Sequence, residues 1–256
     1  AASDVYKRQE YGTPTDSTDR LVLKGLFTTI TNVNFNTHTV KELTAEVKDE
    51  KRRIYKNHVD DYELSRLWEA GEDIRSLKSL ILFGIKGMAA YAYHALALGK
   101  TDSEINAFFY TALRAIEGEN DPDKLLRLVL KTGEVNFKCM ALLDNANTES
   151  YGDPVPTVVP LTIEKGPFIV VSGHDLHDLK LLLEQTEGKG INIYTHSEML
   201  PAHGYPGLKK YKHLKGNFGT GWQNQQSEFH NIPAPILFTT NCIMPVRQSS
   251  VSYTHL

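Results

Sequence analysis

With 256 residues, 41% hydrophobic and 23% charged, and a formal net charge of −3, the chain is long enough for two ordinary domains and has the composition of a soluble globular protein. No basic excess calls for nucleic acid. The only two cysteines, Cys139 and Cys242, lie far apart, which argues against a disulfide framework and makes a reducing cytoplasm the expected compartment.

Both ends read as foreign to what adjoins them. Residues 4–9, DVYKRQ, and residues 251–256, VSYTHL, can be encoded by opposite strands of one oligonucleotide that resembles the mosaic end of a transposon used to prepare sequencing libraries. Residues 1–9 and 249–256 are therefore set apart as adapter-like, non-native tails. The rest is expected to be an internal piece of a longer gene product. The chain opens on no charged-then-apolar leader, so secretion has no support.

From about residue 17 to 146 the apolar pattern has helical period. TDRLVLKGLFTTI is expected to start behind a Ser17/Thr18 cap, and HTVKELTAEVKDEKRRIY to show a charged outer face. DIRSLKSLILFGIKGMAAYAYHALALG contains an apolar run, residues 80–98, near the length that spans a bilayer. Lys86 and His94 interrupt it, and Gly84 and Gly87 read as close-packing points, so a buried core helix is expected and no membrane span. TDSEINAFFYTALRAIEG offers a capping box, Thr101 with Glu104, and DPDKLLRLVLKTGEVNFKCMALLDNA has Asp121 as cap with Pro122 at the first helical position. Five helices without a strand pattern predict a helical domain over 10–153, packed as a bundle.

YGDPVPTVVPLTIEKGP, with four prolines, breaks the pattern and predicts a linker over 154–167. FIVVSG, then the amphipathic DLHDLKLLLEQTEG with Asp175 as cap and Gly188 at its end, then INIYTH, form a β-α-β unit. Such a unit demands parallel strands and a right-handed crossover. A third strand, PILFTTN, follows a long polar connection. The fold class expected is multidomain, α plus α/β: an N-terminal helical bundle followed by part of a Rossmann-like parallel α/β domain over 168–248.

Open parallel sheets gather ligands where strands release their carboxyl ends. Here those ends carry Gly173-His174, His196-Ser197-Glu198 and Asn241-Cys242. Six of the ten histidines, His174, His177, His196, His203, His213 and His230, fall within 57 residues of one another. Taken singly, a strand-end histidine is more often a hydrogen-bonded loop residue and a lone cysteine a small apolar filler. Imidazole, carboxylate and thiol at three ends of one sheet point instead to a metal centre, with a mixture of hard and soft donors unlike an all-cysteine zinc site. Spacing goes no further than that.

SGHDL, YTHSEMLPAHGYP and TTNCI, with LFTTITNVNFNT, FGIKGMAAYAYHA and EVNFKCMALLD in the helical part, strongly resemble the hybrid cluster protein family, also called prismane or hydroxylamine reductase. The resemblance covers residues 10–248. It implies that His174, Glu198 and Cys242 bind a hybrid iron–sulfur–oxygen cluster of 4Fe-2O-2S type, with His196 and His203 as neighbours shaping the site. It also implies hydroxylamine as substrate, nitric oxide as a second one, and an electron-donor protein as partner. Carbon monoxide dehydrogenases resemble the family in fold but place a cysteine where this chain has Glu198, so the carboxylate favours the hybrid cluster over a nickel-containing one.

The chain departs from the family in having no cysteine before Cys139. The N-terminal cysteines that bind a second, cubane iron–sulfur cluster are missing, as are further hybrid-cluster ligands from a C-terminal region. Three of seven ligands are retained, which implies that this piece alone is inactive. Two rivals are weaker. A nucleotide-binding α/β module needs a G-x-G-x-x-G turn, and SGHDL lacks it. The four lysines of GLKKYKHLKGN, residues 207–217, read as a solvated loop more than as a nucleic-acid patch.

Overall fold

The computed structural model describes residues 14–30, 33–34, 36–55, 61–240 and 242–245. Both adapter-like tails and Asn241 lie outside them. The chain divides into two compact units, one made of residues up to Ile30 with Asn36–Asp144, the other of Thr31–Phe35 with the chain from Asn145 onward.

The first unit is helical: α1 (Asp16–Thr28), α2 (Thr37–Ile54), the short α3 (Ser65–Glu69), α4 (Glu72–Ala97), α5 (Ser103–Gly118) and most of α6 (Pro122–Tyr151). Its core joins Leu23 of α1, Ile81, Ile85, Met88 and Ala89 of α4, Ile105, Phe109 and Ala112 of α5, and Leu125, Val135 and Cys139 of α6. Helices α4 and α5 contribute residues three or four apart, as do Val135 and Cys139 of α6, the spacing that stacks side chains on one face. Among the described residues α4 is long and apolar enough to cross a membrane. Its Ile81, Ile85 and Met88 are nevertheless fully buried in the protein core, while Leu80 and Phe83 face outward. A hydrogen bond and a ring stack also cross between helices: Tyr110 Oη donates to Asp19 Oδ1 at 2.7 Å, and Phe27 stacks on Tyr93 with centroids 4.1 Å apart.

Three local expectations fail for physical reasons. The cap of α1 is Thr15, whose N–H donates to the Thr18 hydroxyl at 2.9 Å, so Thr18 is the third helical residue and not the cap. Asp102 displaces Thr101 as the cap of α5 because its carboxylate accepts from both Glu104 N–H and Ile105 N–H, at 2.8 and 3.0 Å. Of the two glycines in α4, only Gly84 packs closely: a Cβ there would meet Thr132 Cγ2 of α6 at 2.7 Å, while one on Gly87 would meet nothing within 4 Å. Asp121 does cap α6, accepting from Asp123 and Lys124 N–H.

The second unit holds one sheet of β1 (Phe168–Ser172), β2 (Asn192–His196), β3 (Leu214–Phe218) and β4 (Ile236–Phe238), ordered β3-β2-β1-β4. Every pairing is parallel. Helix α7 (Leu176–Thr186), capped by Asp175, links β1 to β2 and buries Leu179 and Leu183. A 3₁₀ segment, Ser197–Gly204, and a short helix, Pro206–Lys209, lead to β3.

β3 corrects the sequence reading, because the basic stretch expected as a loop supplies a strand. LKGNF has little apolar patterning to announce it. Its outer edge is covered instead by the proline-rich stretch, where Pro160 O accepts from Asn217 N–H at 2.9 Å. Residue 216 must be glycine, since a Cβ there would sit 2.2 Å from Pro160 O. Covering an edge strand in this way removes its unpaired backbone groups from competition with other chains.

Candidate metal centre

Register brings the strand ends level. Ser172, the last residue of β1, pairs with His196 of β2 on one side and with Phe238 of β4 on the other. The residues that follow all three strands therefore leave the sheet at one edge. They also leave through left-handed backbone: Gly173 has φ 130°, Ser197 φ 55° and Cys242 φ 59°. Such values turn the chain sharply and are costly for residues with a Cβ, on the order of 1–3 kcal/mol.

The first turn is closed by the last. A Cβ on Gly173 would lie 2.3 Å from Thr239 Oγ1 and 2.8 Å from Thr240 N. Through this gap Thr240 Oγ1 accepts from His174 N–H at 3.0 Å, and Thr239 Oγ1 from Asp175 N–H at 3.2 Å. The two threonines thus fix the backbone that presents His174.

One donor atom from each of His174, Glu198 and Cys242 lies within 4.8 Å of the others. Glu198 Oε2 is the shared point: it is in direct contact with His174 Nε2, and the Cys242 thiol donates to it at 3.5 Å. Burial, and then the neighbouring Glu198 carboxylate, push the Cys242 thiol up to about 11. The side chains of His174 and Glu198 are more than a third exposed, so the donors are reachable from solvent. Ser197 Oγ, one residue before Glu198, is buried with no hydrogen-bond partner among the described residues.

His196 and His203 serve other ends. His196 is fully buried; its Nδ1 shares a hydrogen bond with Ser172 Oγ at 3.0 Å and its Nε2 one with Glu228 Oε2 at 2.9 Å. Burial drives its imidazole below the ordinary value against the opposing pull of Glu228. Burial would raise the Glu228 carboxyl, but hydrogen bonds from Thr220 and His196 outweigh it and hold it low. His203 Nε2 meets Thr195 Oγ1 at 2.9 Å, and that hydroxyl lies 2.9 Å from Asn217 Oδ1, in a buried network joining the 3₁₀ segment to β2 and β3. His213 bonds the end of α7 at Thr186 and the Leu183 carbonyl. Cys139 is fully buried in the helical core.

Sequence reasoning missed Gln225, Ser172, Glu228, Thr239 and Thr240. The threonines and Ser172 announce themselves only as polar residues ending apolar strands, and Gln225 lies in a connection whose polarity suggests solvent.

Parallel strands that bring a nitrogen, an oxygen and a sulfur donor together at one edge, beside a helical unit, define the class: a mixed α plus α/β protein with a candidate metal centre at its strand ends. The chain belongs to the Prismane/CO dehydrogenase family, which it matches over residues 2–255. It is 46% identical over 255 residues to a hydroxylamine reductase of Thermodesulfovibrio yellowstonii, covering 90% of this chain and 47% of that protein. A hydroxylamine reductase of Solidesulfovibrio magneticus is 48% identical over 256 residues, 91% of this chain and 48% of the relative. One from Syntrophobacter fumaroxidans reaches 58% over 182 residues, 71% of this chain and 34% of the relative. The chain spans about half the length of the first two relatives. Iron–sulfur binding goes with the family, and an imidazole, a carboxylate and a thiol gathered at one point suit iron held between soft and hard donors.

Proposed function

We propose that His174, Glu198 and Cys242 are ligands of a hybrid iron–sulfur–oxygen cluster, of 4Fe-2O-2S type, in an oxidoreductase that reduces hydroxylamine. The balance is one hydroxylamine, two electrons and two protons giving ammonia and water. The observation that carries the reading is the meeting of three chemically different donors at level strand ends. Relatives named hydroxylamine reductase support the substrate. Nitric oxide as a second substrate, an electron-donor protein as partner, a second iron–sulfur cubane held by residues outside this chain and a cytoplasmic setting belong to the same proposal.

The order β3-β2-β1-β4 supports a Rossmann-like arrangement, in which the connection after β1 and the one leading to β4 place the switch point beside His174. The α core, which runs from Val22 to Leu142, supports a bundle as the helical part of a proposed division into a helical domain over 10–153, a linker over 154–167 and a partial α/β domain over 168–248.

When bound, the cluster supplies electrons and an iron able to polarise the substrate nitrogen or oxygen. The chain's own residues set its surroundings. Glu198 brings negative charge to the shared point, and His174 brings a neutral donor whose backbone the Thr239 and Thr240 hydroxyls orient. His196 lies behind the edge, hydrogen-bonded on both ring nitrogens, and keeps the end of β2 from shifting against β1.

The test is anaerobic expression of the uninterrupted gene with Glu198→Gln. Iron per chain and hydroxylamine turnover should both fall sharply; wild-type values for both would sink the assignment.

A further inference from the structure

Gln225 opens a short helix, Gln225–Glu228, 17 residues before Cys242, and is 2% exposed. Its amide works in two directions. Nε2 donates to the Cys242 carbonyl at 2.6 Å and lies 3.4 Å from Ser172 Oγ, and Oε1 accepts from Met244 N–H at 2.9 Å. Ser172 is itself bonded to His196. One buried amide therefore ties the turn after β4 to the last residues of β1 and β2.

That turn is the one that needs tying. Cys242 holds φ 59°, a conformation a residue with a Cβ keeps only where its surroundings over-determine it. The two bonds from Gln225 hold the carboxyl side of Cys242, one on its own carbonyl and one on the N–H two residues further on, while the Thr239 and Thr240 hydroxyls hold the chain before it. Relaxing to negative φ would re-aim the Cα–Cβ bond, and with it the sulfur, away from Glu198.

We propose that Gln225 is the positioning residue for Cys242: it clamps the left-handed turn so that the sulfur faces His174 and Glu198 and all three can take one metal ion. The inference rests on the reading of those three residues as a metal centre and extends it to a residue that touches none of the donor atoms. The amide is needed as donor and acceptor together. Methionine offers neither function, and glutamate keeps only the acceptor.

The probe is Co(II), added anaerobically to the 256-residue chain and read by its thiolate-to-cobalt charge-transfer absorption and its affinity. The unsubstituted chain should show the band, and Cys242→Ser should abolish it. Gln225→Met and Gln225→Glu should bind Co(II) about 10- to 100-fold more weakly, as expected for loss of a residue that orients a ligand, with the thiolate band reduced and far-UV circular dichroism retained. No band in the unsubstituted chain, or a band that survives Cys242→Ser, overturns the metal-centre reading and this proposal with it. A normal band in the unsubstituted chain with unchanged band and affinity in the folded Gln225 variants overturns the positioning role alone. If Gln225→Met does not fold, Gln225→Glu decides, since it keeps the size and the acceptor for Met244. Failure of both to fold also overturns the proposal, because the amide would then hold up the fold and not the sulfur.

Discussion

Cys242 Sγ stands 3.5 Å from Glu198 Oε2 although their strands are not neighbours, β1 lying between β4 and β2. The approach happens beyond the strand ends. Because Ser172 pairs level with His196 and with Phe238, the turns after β2 and β4 can reach past the end of β1 and meet. A side chain at 173 would run into Thr239 Oγ1 and the Thr240 backbone in the turn after β4.

Gly173 should therefore tolerate no side chain. Gly173→Ala adds a Cβ at positive φ and against the backbone of Thr240, and should cost about 1–3 kcal/mol in chemical denaturation. The comparison is Gly25→Ala inside α1, where a Cβ would meet nothing within 4 Å and helix propensity should add about 1 kcal/mol. Equal effects at the two sites would refute the close approach at 173.

The α4–α6 contact can be tested by a cycle. Gly84→Ala should destabilise by about 1–3 kcal/mol through overpacking against Thr132 Cγ2. Thr132→Ser removes that methyl while leaving a hydroxyl to donate to the Leu128 carbonyl, so the double variant should recover part of the loss. Strictly additive effects would mean the two residues do not touch in solution.

The two thiols should differ in reactivity. Cys139 is fully buried, and burial pushes its thiol up to about 12; Cys242 is partly exposed. Brief alkylation of the folded chain, followed by peptide mass analysis, should modify Cys242 and leave Cys139 intact until denaturant is added. Early modification of Cys139 would contradict the helical core.

Glu50 gives a pH dependence with a definite sign. A hydrogen bond from Arg53, then one from the Thr18 hydroxyl, lower its carboxyl from 4.5 to about 2, and the charge of Glu50 in turn helps raise the Tyr110 phenol of α5. A carboxyl depressed in the folded state contributes stability in full above about pH 4.5 and loses it as pH falls toward 2. Glu50→Gln should thus lower the melting temperature at pH 6, with the difference shrinking steadily between pH 4.5 and 2. A constant difference across that window would show that Glu50 is not paired.

Much of this molecule is legible in its residue order because helix and strand periods are local properties. The long pattern that predicts α4, the Asp121–Pro122 start of α6 and the Asp175 cap of α7 each need only a few neighbouring residues, and all three appear in the structure. The choice between Thr101 and Asp102 as cap was not legible, since it turns on which side chain reaches two backbone donors at once. β3 was hidden for another reason. An edge strand covered by the Pro160 backbone needs a glycine and little apolar surface, and those residue types read as a loop.

The sequence by itself pointed to His174, Glu198 and Cys242 beyond the strands, although it ran the last strand on to Asn241 where the structure ends it at Phe238, and it required a β-α-β unit to run its strands parallel. Only the tertiary structure decided that the three donors share Glu198 Oε2 and that Gln225, Ser172 and His196 brace the edge behind them. The division follows from range: strand period and capping act over a few residues, whereas level register and a hydrogen bond across 17 or 53 residues exist only once distant segments pair.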